Sequence, residues 1–137
     1  MGAVLVTPGG RHLRLFCRLH CGTINGQRIL VFLKQLLRRV PGEIVLVWDN
    51  HPIHTRRLVK AFIASQPRLH VFHFPSYAPE LNPVEGVWTQ AKEATAGTAP
   101  YHIQQLHRNV YQVIKRIANS QRLLQACFRI AKLPWPT

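Results

Sequence analysis

The feature that most constrains this chain is a short apolar run, Ile44-Val45-Leu46-Val47-Trp48, closed abruptly by Asp49. A continuous run of this length between turn signals is the pattern of a strand buried on both faces of a parallel sheet. Helical spacing flanks it on each side. Residues 25–40 carry Ile29, Leu30, Leu33, Leu36, Leu37 and Val40 on one face, Arg38 and Arg39 suit the negative end of the helix dipole, and Pro41-Gly42 stops the helix. Residues 55–65 form a second helix with Leu58, Val59, Phe62 and Ile63 inward and Pro67 at its end, and residues 69–74 read as the next strand.

Upstream, residues 3–7 and 12–18 read as the strands of a hairpin joined by Pro8-Gly9-Gly10. Downstream, Asn82 as cap and Pro83 at the first helical position open a helix after a proline-punctuated loop. Helical spacing resumes after Gly97 and Pro100 with Ile103, Leu106, Val110, Val113, Ile114 and Ile117, then Leu123, Leu124 and Cys127. The order strand, strand, helix, strand, helix, strand, helix, helix predicts an α/β fold.

Charge narrows the partners. The 137 residues hold 18 Lys plus Arg against 5 Asp plus Glu, a formal net charge of +13, yet 47% hydrophobic residues suffice for a core. Such an excess suits a polyanion, because each neutralised phosphate releases condensed counterions, and nucleic acid is the first candidate. No apolar run approaches the roughly 20 residues that span a bilayer, so no membrane partner is expected. Met1 is followed by Gly-Ala-Val-Leu-Val rather than a basic segment and signal core, and three cysteines without paired spacing suit a reducing cytoplasm. Cys17 and Cys21 flank His20, but a zinc site needs four ligands and Cys127 is far along the chain, so these thiols are expected to be structural.

Two carboxylates fall where chemistry is expected. In open α/β sheets ligands bind beyond the carboxyl ends of strands, which is where Asp49 lies. Asn50, His51 and His54 follow on the same loop and could orient the carboxylate or meet phosphate, with turn and cap chemistry as the alternative. Glu85 lies in the first turn of a helix, where Asn82-Pro83-Val84-Glu85 also has the spacing of a capping box. Trp88 reads as core or as a base-stacking surface, and Tyr77 in the preceding loop fits either role. Glu43 stands at the other end of the strand, roughly 20 Å from Asp49, and Glu93 lies roughly 12 Å along the helix from Glu85.

Read whole, Val45-Leu46-Val47-Trp48-Asp49-Asn50, then His54, then the block from Pro75 through Tyr77, Pro79, Leu81, Asn82, Pro83 and Glu85 to Trp88 resembles the DDE endonuclease domain of bacterial insertion-sequence transposases related to the Tc/mariner group. In that family a Pro-x-Tyr-x-Pro-x-Leu-Asn-Pro-x-Glu-x-x-Trp block carries the third catalytic acid, and the second acid ends a strand about 35 residues earlier. Asp49 and Glu85 stand 36 positions apart. The likeness covers about residues 3–92.

The resemblance implies a ribonuclease H-like mixed sheet flanked by helices, and cleavage and joining of transposon ends and target DNA. Asp49 would bridge two Mg²⁺ or Mn²⁺ ions and Glu85 would bind one, since paired metals must activate the attacking oxygen and stabilise the leaving one. Asn50, His54, Tyr77, Asn82 and Trp88 would shape the site. It implies a partial catalytic domain over residues 1–96, while the helical extension expected over 97–137 rests on hydrophobic pattern alone. The family's first acid and its central first strand have no counterpart here, so the chain is expected to be inactive alone and to need an upstream transposase fragment or another copy of itself. A bacterial cytoplasmic, nucleoid-associated protein is expected. Two other readings stand beside this one: a non-catalytic basic nucleic-acid-binding module, and a metal-binding protein using Asp49, His51, His54 and Glu85.

Overall fold

The computed structural model describes residues 1–7, 12–20, 22–97 and 102–133. It is a mixed α/β structure, compatible with a ribonuclease H-like DDE fold, in which five helices accompany two two-stranded sheets among the described residues. The chain divides into two compact units, Met1–Leu19 with Glu80–Thr137, and His20–Pro79.

In the first unit, β1 (Gly2–Val6) pairs antiparallel with β2 (Leu13–Cys17), in the register Gly2 to Cys17 through Val6 to Leu13. The hairpin is therefore as the pattern predicts, while its Pro8-Gly9-Gly10 connection lies outside the described residues, as does Cys21. Three helices complete the unit: α3 (Pro83–Thr95), α4 (Ile103–Ala118) and α5 (Gln121–Ile130). Leu13, Val87, Ile117, Leu124 and Cys127 are buried together, with Val4, Val6, Leu15 and Trp88 packed against them. The side-chain amide of Gln121 grips the strand edge as a further strand would: Nε2 donates to the Leu13 carbonyl at 2.6 Å and Oε1 accepts from its N–H at 2.9 Å. Two backbone groups are thus satisfied without a ladder. The first turn of α4 departs from the periodicity reading, because Ile103 and Leu106 face solvent, while Ile114 and Ile117 are buried and Val113 packs against the core.

The second unit is a strand, helix, strand arrangement preceded by a helix. α1 (Gly26–Arg39) starts at Asn25, whose side chain accepts from the Arg28 N–H at 3.0 Å, and ends before Pro41-Gly42 as expected. Gly42 takes φ +78, a conformation glycine adopts without steric penalty. The Arg68 guanidinium closes this end by donating to the carbonyls of Val40 at 2.7 Å, Gly42 at 2.8 Å and Leu37. Those of Leu37 and Val40 are among the C-terminal carbonyls that a helix leaves without internal partners. β3 (Ile44–Trp48) then pairs parallel with β4 (Leu69–His73) through the crossover helix α2 (Arg57–Ala64), Ile44 opposite Leu69 and Trp48 opposite His73.

One expectation for β3 fails. Ile44 is buried with Leu37 and Leu69, and Leu46, Val71, Phe62 and Ile63 pack there too. The opposite face is open, with Val45 66%, Val47 43% and Phe72 59% exposed. The apolar run therefore has one covered face rather than two, because in a continuous run of apolar residues composition cannot show which face is covered. Leu58, assigned inward, is also exposed, whereas Val59 is fully buried.

Candidate active site

Parallel pairing brings the ends of β3 and β4 to the same side of their sheet, and the chain leaving each strand there is joined to the other. The Phe74 N–H donates to the Trp48 carbonyl at 2.7 Å, continuing the ladder one step. Asn50 Nδ2 then donates to the Phe74 carbonyl at 3.0 Å and reaches Ser76 Oγ at 3.4 Å. Asp49 is consequently fixed on a loop latched to the neighbouring one.

Its carboxylate is held from one side. Oδ1 accepts from the His51 N–H at 3.0 Å and lies 2.9 Å from His54 Nδ1, which is also 3.2 Å from the Asp49 carbonyl. Both of these partners only accept, so Nδ1 carries the ring hydrogen. Oδ2 enters no hydrogen bond among the described residues, and the Asp49 side chain is 54% exposed. One oxygen is thus pinned and the other left available.

His54 is enclosed. Its ring stacks on Trp48 with centroids 4.1 Å apart and planes 2° from parallel. Burial pushes its pKa below the usual histidine value, outweighing the opposing pull of the Asp49 backbone and carboxylate. The imidazole is therefore neutral near pH 7, and its contact with Asp49 is a hydrogen bond rather than an ion pair. His51 turns its Nδ1 to the Ile53 N–H at 3.2 Å, and the buried Ile53 anchors the loop. The turn roles open to both histidines in the sequence are thus realised, and they leave neither Nδ1 for a metal.

Glu85 belongs to the other unit. Asn82 caps α3 by accepting from the Val84 N–H at 3.1 Å, and the Glu85 N–H donates to the Asn82 carbonyl. The capping box suggested by the spacing does not form: the exposed Glu85 carboxylate makes no hydrogen bond among the described residues. A carboxylate in the first turn is nevertheless favoured by the helix dipole. The next residue, Gly86, seats the helix, since a Cβ there would come within 3.1 Å of the Cα and Cβ of Cys127 on α5. Trp88 lies against the core and against Gly2, where a Cβ would meet its ring at 3.3 Å. It supports the helix rather than offering a stacking surface.

Tyr77 has the opposite character, being fully exposed with φ +58. Asn50 and His54 therefore stand at Asp49, Tyr77 stands on the loop latched to it, and Asn82 and Trp88 order the helix that bears Glu85. Reasoning from sequence missed Trp48 as the platform for His54, and Ser76 and Phe74 as partners of Asn50. The signal for Trp48 was its place directly before the strand-ending acid. Among the described residues no three His, Cys, Asp or Glu side chains cluster as metal ligands. The two carboxylates are nonetheless hard oxygen donors of the kind Mg²⁺ and Mn²⁺ take.

No helix among the described residues is long and apolar enough to cross a membrane. The family described as DDE superfamily endonuclease matches residues 6–107, about three quarters of the chain. No curated protein matches it.

Proposed function

The chain belongs to the DDE superfamily endonucleases, and from that premise we propose that it is a partial transposase domain acting on DNA, of the type found in insertion sequences related to the Tc/mariner group. The observation that carries this reading is Asp49: it ends a parallel strand, one carboxylate oxygen is tied by the His51 N–H and His54, and the other is left outside those bonds. Asp49 and Glu85 are the residues that would hold the metal. Bound there, Mg²⁺ or Mn²⁺ would activate the attacking oxygen and stabilise the leaving oxygen of an in-line displacement.

The protein's own part is placement. His54 and the His51 N–H set the Asp49 carboxylate, and Asn50 ties its loop to the one after β4. Asn82 starts the helix that presents Glu85, and α5 buttresses that helix through Cys127 against Gly86. The net charge of +13 holds the phosphate backbone. Glu43 is engaged elsewhere, its Oε2 2.6 Å from His70 Nε2; on this reading the third carboxylate comes from an upstream transposase fragment or a second copy. The same charge also favours a second reading, a basic nucleic-acid-binding module without catalysis.

Nicking of supercoiled DNA tests the proposal. With Mg²⁺ or Mn²⁺ this chain alone is expected to nick no more than its Asp49→Ala variant, because phosphoryl transfer depends on a complete metal pair. Its duplex affinity should fall steeply between about 50 and 200 mM salt. Robust nicking lost in Asp49→Ala or Glu85→Ala would overturn the need for a third acid. Salt-independent affinity would overturn the phosphate-held DNA reading.

A further inference from the structure

Folding alone gives no reason for Tyr77. The residue is 101% exposed, more than any other Phe, Trp or Tyr among those described, the next being Phe72 at 59%. Its backbone has φ +58, in the left-handed region that glycine and, less often, asparagine or aspartate occupy. The chain thus holds a bulky aromatic residue in an unfavourable backbone conformation and gains no packing from its ring. Residues held in this way persist when the surroundings over-determine them, and such positions cluster at functional sites.

The surroundings here are specific. Pro75 and Pro79 restrict the loop on either side. Asn50, the neighbour of Asp49, donates to the Phe74 carbonyl and reaches Ser76 Oγ, the residue directly before Tyr77. The loop that carries the strand-ending carboxylate therefore fixes the loop that carries the ring. The exposed Arg56 and Arg57 stand at the start of α2, after the loop that carries Asp49, and add positive charge to that stretch of chain.

We propose that Tyr77 stacks on an unpaired base of the DNA strand whose phosphate Asp49 addresses, an inference that rests on the endonuclease reading. An aromatic ring offers every base the same flat apolar partner, so stacking tolerates sequence while demanding an accessible base face. In intact duplex both faces of a base are covered by its neighbours, which selects an unpaired or extruded base. Tyr77 is then a strand-positioning residue, and the phenol hydroxyl is not needed.

The test uses the full chain and two DNAs of one sequence, a perfect duplex and a duplex with a single unpaired 2-aminopurine. Affinity and 2-aminopurine fluorescence are read for the unsubstituted protein, Tyr77→Phe and Tyr77→Ala, with thermal melts confirming that each is folded. Tyr77→Ala should lose about 5- to 100-fold in affinity for the unpaired-base DNA and abolish the quenching. Its affinity for perfect duplex should be unchanged, and Tyr77→Phe should match the unsubstituted chain on both DNAs. Quenching retained by Tyr77→Ala, or an equal loss on both DNAs, overturns the role of Tyr77 while the DNA reading stands. Failure of the unsubstituted chain to bind either DNA at low salt overturns both.

Discussion

Nδ1 of His54 lies 2.9 Å from Oδ1 of Asp49 while the His54 ring lies flat on Trp48 at 4.1 Å. The stacking fixes the ring plane and the hydrogen bond fixes the carboxylate, so a residue five positions away decides which oxygen of Asp49 is free. Partners of this kind around a ligating carboxylate are typically worth about 10- to 100-fold in metal affinity. His54→Ala should accordingly weaken Mn²⁺ binding by that order, read from the free Mn²⁺ signal in electron paramagnetic resonance. Affinity equal to that of the unsubstituted chain would show that Asp49 needs no support.

On the proposed reading, Asn82 serves stability and Glu85 chemistry on one helical turn. Asn82 accepts from the Val84 N–H, so Asn82→Ala should lower unfolding free energy by about 1 kcal/mol in urea titration. Glu85 makes no such bond, and Glu85→Ala should leave stability within about 0.5 kcal/mol while reducing metal affinity. A stability loss for Glu85→Ala as large as that for Asn82→Ala would restore the capping-box assignment.

Gly86 is a close-approach glycine rather than a flexible one. Alanine at this position in a helix would ordinarily gain about 1 kcal/mol. Here its Cβ would sit 3.1 Å from the Cα of Cys127, backbone atoms of a packed helix that yield little. Gly86→Ala should therefore destabilise, by about 1–2 kcal/mol net, as overpacking does. A raised midpoint in urea would mean that α3 and α5 can move apart.

Cys127 sets an alkaline limit. It is fully buried and accepts from Gln90 Nε2 at 2.8 Å, and burial pushes its thiol pKa above the ordinary value of 9.0. The folded state thus binds this proton more tightly than the unfolded state. Its contribution is fully present below about pH 9 and is lost as pH rises through the raised folded value. Melting temperature should fall more steeply between pH 8 and 10.5 for the unsubstituted chain than for Cys127→Ala. Parallel curves would show that the thiol does not titrate differently on folding.

The order of elements was legible because each is marked locally. Asn25 and Asn82 stand where they cap, Pro41-Gly42 and Pro67 stand where helices have ended, and Ile44 through Trp48 extend as one strand. The position of Asp49 followed from the same reading. What sequence could not show depends on contacts distant along the chain or on backbone angles. Val45 and Val47 are as apolar as Ile44, and only tertiary packing leaves them exposed. Arg68 reads as one more surface cation until its guanidinium is placed on three carbonyls at the end of α1. Glu85 has the spacing of a capping box, yet Asn82 capping through Val84 leaves it free. The left-handed backbone of Tyr77 has no signature in residue type, since tyrosine is disfavoured there.

The central claim is the proposal that Asp49 and Glu85 bind the same divalent metal ion. It is tested most directly by a double-mutant cycle on Mn²⁺ affinity in the full chain, using Asp49→Asn, Glu85→Gln and the pair together. The account predicts that each single substitution weakens binding and that the double variant loses far less than the two losses combined, because both act on the same ion. Independent, additive losses would place the carboxylates at separate sites, and affinity unaltered by either substitution would contradict the account outright.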